Sequence, residues 1–128
     1  MTTCIGRLAV VGVLLAASVA AAQTPRTGLM MREKLGHAQK ILEALTTSDQ
    51  ALLVRESEAL SRIAASPRWA ELRTQELQGY TDNFLKAVAD LDAAAKRRDL
   101  DAAAAHYSSM TTACIQCHKH LKDVRIAR

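Results

Sequence analysis

The sequence predicts an all-α protein, an antiparallel up-down-up-down four-helix bundle, and three observations carry that reading. Its 128 residues are 49% hydrophobic yet only 3% aromatic, with five Gly and two Pro, so the apolar content is dominated by Ala and Leu, which favour helix over sheet. Four segments between residues 27 and 125 repeat apolar side chains at a spacing of three to four. The joints between them are two to four residues long, so each helix must turn back along its predecessor. The length suits one domain and excludes a two-domain enzyme with an interdomain cleft.

The first segment carries Leu29, Met30, Met31, Leu35, Ala38, Ile41, Leu42 and Leu45. It runs into Thr46-Thr47-Ser48-Asp49, a polar joint rich in residues that cap helix N-termini. The second uses Leu52, Leu53, Ala59, Leu60, Ile63 and Ala64 and is closed by Ser66-Pro67, a pair suited to capping and opening the next helix. The third, from about Arg68 to Lys96, carries Trp69, Leu72, Leu77, Tyr80, Phe84, Val88, Leu91 and Ala95. Gly79-Tyr80-Thr81-Asp82 is the place where it would break, because Gly weakens a helix and Thr can cap one. Asp99 caps the fourth, which runs from Leu100 through Ala103, Tyr107, Met110, Cys114, His118 and Leu121 to Val124.

Residues 1–22 stand apart from this pattern. Arg7 precedes an apolar run from Leu8 to Ala22 that ends in small residues, the organisation of a cleaved secretory signal peptide. The run is short for a membrane span, so the expected mature chain, residues 23–128, has no stable membrane insertion and resides in the periplasm. That mature chain holds 16 basic and 13 acidic side chains, and its longest basic block is Lys96-Arg97-Arg98. Such a mild excess gives nucleic-acid binding little support.

Chemistry concentrates in Cys114-Ile115-Gln116-Cys117-His118, the Cys-x-x-Cys-His pattern of covalent c-type haem attachment. Thiols at i and i+3 lie on one helix face, where both can form thioethers to the vinyl groups of one porphyrin. The adjacent His118 then offers its imidazole to the iron as proximal ligand. A thioredoxin-like redox pair belongs at the start of a helix beside a βαβ sheet, and a zinc site needs a second Cys/His pair at ligand spacing. Neither context is present in the sequence.

Antiparallel first and last helices place the start of one beside the end of the other. His118 stands seven residues before Arg125, about 10 Å from that end, with Lys34 and Leu35 at the same level and Met31 one turn nearer the start. Met30, Met31 and Leu35 can reach the distal face of the haem, and the two Met offer a sulfur lone pair. Met31 is the expected distal ligand and Met30 the fallback; the alternative is Met31 as an apolar lid over five-coordinate iron. His37 falls too far along the helix, His106 reads as a surface residue, and His120 points away from the iron.

Together, the late Cys114-Ile115-Gln116-Cys117-His118, the Met31-Arg32-Glu33-Lys34-Leu35-Gly36-His37 run and the Trp69 region resemble the class II cytochromes c, the cytochrome c-prime and c-556 group. The resemblance covers residues 27–128 and implies an exported four-helix bundle with one haem c. It further implies a propionate contact for Lys122, four positions after His118, and it admits a homodimer. Members with a Met on the iron carry electrons, whereas members with five-coordinate iron bind NO or CO. Two departures are visible: a shorter joint between helices two and three, and few aromatics to line a gas pocket. The expected function is one-electron transfer to a redox partner protein, the soft thioether raising the potential. The alternative is a five-coordinate protein that binds NO or CO. Group-transfer or hydrolytic enzymes find no Ser/His/Asp or paired-carboxylate constellation here.

Overall fold

The computed structural model of the chain describes residues 23–126, so the signal-peptide reading of residues 1–22 lies outside the described residues. Five helices follow in order: α1 (Gln23–Thr47), α2 (Gln50–Ala64), the single turn α3 (Pro67–Ala70), α4 (Gln78–Lys96) and α5 (Leu100–Ile126). The chain divides into two units, residues 1–33 and 34–128. In the first, the described residues form the opening turns of α1, with Leu29 exposed, Met30 buried and Met31 half-buried. In the second, the remainder of α1 packs with α2, α4 and α5 as a four-helix bundle, as the sequence predicts. Among the described residues no helix is long and apolar enough to cross a membrane.

Two tight turns of the same design close one end of the bundle. After α1, Ser48 takes a left-handed conformation (φ 57°), Asp49 N–H returns to Ala44 O at 2.9 Å, and the Asp49 carboxylate caps Leu52 N–H at 2.9 Å. After α4, Arg98 (φ 60°) and Asp99 repeat this: Asp99 N–H reaches Ala94 O at 3.1 Å, and its carboxylate caps Ala102 N–H at 3.0 Å. In each turn, one left-handed residue satisfies the outgoing carbonyls and one Asp satisfies the incoming amides. Gln50 donates its side-chain amide to Ala95 O and so ties the two turns together.

Between the turns and the far end runs a core of small and aliphatic side chains. Ile41, Ala44, Leu53, Leu91, Ala94, Ala95 and Ala103 are fully buried. Alanines on α4 and α5 let those helices approach closely, and α4 also packs along α2. Polar groups that enter this interior are satisfied: buried Ser57 donates to Val54 O and to Asp92 Oδ1, each at 3.0 Å.

The far end departs from the sequence reading. Ser66 caps α3, accepting from Trp69 N–H at 3.3 Å, but the helix stops after one turn. Residues 71–77 form a run of turns, and α4 then begins at Gln78, ahead of Gly79. The break therefore lies before Gly79-Tyr80-Thr81-Asp82, and the joint between α2 and α4 spans residues 65–77 instead of being short. Thr81 does not cap; it is buried inside α4 with its hydroxyl on Gln78 O at 2.9 Å. Burial of Thr81 and Phe84 on one face outweighs the roughly 1 kcal/mol helix penalty of a single Gly. The excursion is held from both sides. Arg73 pairs with Asp82 at 2.8 Å, while His120 Nε2 lies 3.1 Å from Glu76 Oε1 and its ring stacks on Tyr80.

Candidate functional site

The buried stripe of α5 runs Ala103, Met110, Ala113, and the next positions on that side are Cys114 and Cys117. Both are half-buried free thiols one helical turn apart, while His118 is exposed beside them. Burial pushes both thiols above their ordinary range; the charge of Lys34 acts in the opposite direction on each.

Lys34 is the residue that sequence periodicity did not single out. It lies on the inner face of α1 and is only 8% exposed. Its ammonium sits 4.0 Å from the centroid of the Trp69 ring and 3.7 Å from that of Phe84, a two-ring cation–π arrangement. Desolvation lowers its pKa from 10.5 to about 8, against the pull of the Cys114 and Cys117 thiolates, which raise it. Trp69 and Phe84 pack on one another with centroids 4.7 Å apart, and both are buried. The Trp69 Nε1–H is buried with no hydrogen-bond partner. The site thus assembles from α1, α3, α4 and α5: two thiols, an imidazole, a buried ammonium and an indole donor.

Other sequence-read residues fall elsewhere. Leu35, read as able to reach the haem, is 58% exposed, because the face of α1 that turns inward carries Lys34 and Ile41. Met30 is 1% exposed and Met31 half-buried within the first unit. His37 donates from Nδ1 to Glu56 Oε2 at 2.7 Å, a satisfied polar pair between α1 and α2. Burial alone would raise the Glu56 pKa, but hydrogen bonds from His37 and Arg55 reverse this and hold it low. Lys122 is exposed near the end of α5. A surface depression of about 600 Å³ between α4 and α5 is lined by Lys86, Asp90, His106 and Gln116, and includes neither cysteine nor His118. Among the described residues no cluster of three or more His, Cys, Asp or Glu could hold a metal unaided.

These features fit a covalently bound haem. The thiols are reduced and correctly spaced, the imidazole is accessible, and an orphaned buried donor is present for the carboxylates such a group carries. Residues 18–122 match the family model described as Cytochrome C'. The chain belongs to this family, the class II cytochromes c, haem proteins that are in general not enzymes. No curated protein and no solved structure matches significantly.

Proposed function

We propose that this chain is an exported monohaem c-type cytochrome that transfers one electron at a time in the periplasm. The observation that carries the reading is the pair of free, half-buried thiols one turn apart on α5, with exposed His118 next to them. Bound haem supplies a one-electron Fe(III)/Fe(II) couple. Cys114 and Cys117 would hold it covalently, as thioethers to its two vinyl groups. His118 gives the proximal nitrogen. Met31 is the distal sulfur donor of this reading, with Met30 as its competitor; a thioether favours the ferrous state. A mild net positive charge suits brief encounters with a redox partner protein.

The second reading, five-coordinate haem that binds NO or CO, draws support from the family whose description the chain matches. Absorption spectra of the protein, oxidised and reduced, with and without CO, separate the two. Low-spin spectra, a weak sulfur–iron band in the ferric state and slow CO uptake are expected. Met31→Leu should abolish that band and Met30→Leu should leave it; the opposite pattern moves the ligand to Met30. A wild-type protein that is already high-spin and takes up CO at once establishes the second reading instead.

A further inference from the structure

The outer face of α5 changes character beside the attachment motif. At about 100° per residue, Ile115, His118, Lys119 and Lys122 fall within an arc of about 100°. All four are exposed, and the apolar Ile115 is 61% exposed. Cys114 and Cys117 lie to one side of that arc with His118 on its border, so the face adjoins the attachment side without coinciding with it. Its charge is one-sided. From residue 102 to residue 122 α5 carries no Asp or Glu, and Asp123 ends the run. Among the described residues Lys119 and Lys122 enter no ion pair. The lysines exposed on α4 differ: Lys86 pairs with Asp90 at 2.6 Å and Lys96 with Asp92 at 2.8 Å, each within its own helix. Glu76 lies against His120, which falls outside the arc.

An exposed apolar side chain flanked by unpaired cations has the layout of a small interface, apolar at its centre and polar at its rim. We propose that Ile115, Lys119 and Lys122 form the docking face for the redox partner protein, and that the partner presents an apolar spot rimmed by carboxylates. The proposal rests on the haem reading above and adds where the partner sits and which charge it carries. It assigns Lys122 to the partner in place of the propionate contact that the family resemblance implies. A partner on this face meets the one helix that carries Cys114, Cys117 and His118. So few side chains make an interface below about 1,200 Å², which suits a brief complex whose charges act mainly on encounter. Two lysines are too few to hold an anionic bilayer, where each cation contributes about 1 kcal/mol and binding clusters number about four to eight.

The test is voltammetry of the haem-loaded protein on gold coated with a mixed film of carboxylate- and methyl-terminated thiols, which copies such a partner surface. Adsorbed mass is read in parallel on a quartz crystal microbalance. The proteins are wild type, Lys119→Glu, Lys122→Glu, Ile115→Ser and Arg97→Glu, the last making the same charge change at the turn end. Wild type should adsorb and give a reversible couple at about 10 mM salt, where charges act over about 30 Å, and should be released at about 150 mM. Each lysine variant should lower the adsorbed electroactive amount about threefold. Ile115→Ser should lower it less, and only on the mixed film rather than on carboxylate alone; Arg97→Glu should match wild type. Equal adsorption of wild type and both lysine variants overturns the docking face, while the couple still shows that haem is present. Equal capture of wild type by an ammonium-terminated film overturns it as well. Lysine-dependent binding to vesicles of phosphatidylglycerol and phosphatidylcholine in equal parts assigns the face to a membrane and overturns the protein partner. Adsorbed wild type with no current, and no haem in its intact mass, overturns the haem reading and the redox partner with it.

Discussion

The two ends of the bundle are built on opposite principles. At the turn end, the Ser48-Asp49 and Arg98-Asp99 turns return an amide to each outgoing helix and cap each incoming one, and the side chains packed between them include Ile41, Ala44, Leu53, Leu91, Ala94 and Ala95. At the motif end a Lys is buried on two aromatic rings, an indole donor is left over, two thiols are free and the connecting segment abandons helix for residues 71–77. The difference shows where stability and where function are invested. One end is closed by short capped turns, whereas the other carries the free thiols and an indole donor with no hydrogen-bond partner.

That contrast breaks first where packing dominates. Leu91 is fully buried, so Leu91→Ala should lower the unfolding free energy by about 2–5 kcal/mol, read by chemical denaturation, with the absorption spectrum of the folded protein unchanged. A changed spectrum would mean that the two ends are not separable. The next effect belongs to Lys34. Its pKa of about 8 lies below the ordinary 10.5, so between those values the unfolded chain holds a proton that the folded chain has released. Stability of the haem-free chain should therefore rise with pH across that window, by about 3 kcal/mol at most relative to Lys34→Met, in which this component is absent. Comparison with the variant is needed because the raised thiols of Cys114 and Cys117 titrate nearby and act in the opposite direction. A slope equal in both proteins would remove the buried charge from the account. The smallest effect sharpens the turn end. Asp49→Ala and Asp99→Ala should each lose about 1 kcal/mol, equally with and without haem, because each removes one cap far from the motif.

The same division explains what could be read from the sequence. Asp49, Ser66 and Asp99 were legible as caps because capping is a local rule with few chemical solutions. The spacing of Cys114, Cys117 and His118 was legible because it encodes a reaction. Lys34 was not, since α1 offers two apolar stripes. Leu29, Leu35 and Leu42 form the more hydrophobic one and stay exposed, while the stripe that turns inward includes a charge. Its register was nevertheless present, because Met30, Lys34, Ile41 and Ala44 recur at helical spacing and all four are buried. The end of α3 was illegible for another reason: residues 71–77 are held by Arg73–Asp82 and Glu76–His120, contacts that no local pattern announces.

The turn at residues 97–99 also sets an order of events. Three residues separate α4 from α5, so closing that hairpin costs little chain entropy, and its contacts are near neighbours in sequence. Lys34, by contrast, must find Trp69 and Phe84 across 35 and 50 residues. Hydrogen-exchange labelling during refolding should accordingly protect α4 and α5 amides before those of α1. For a newly made chain this opens an interval in which the thiols ride on a helix already ordered along one flank. The flank that Lys34 will cover is still open during that interval, which gives a bulky planar reactant its time to enter.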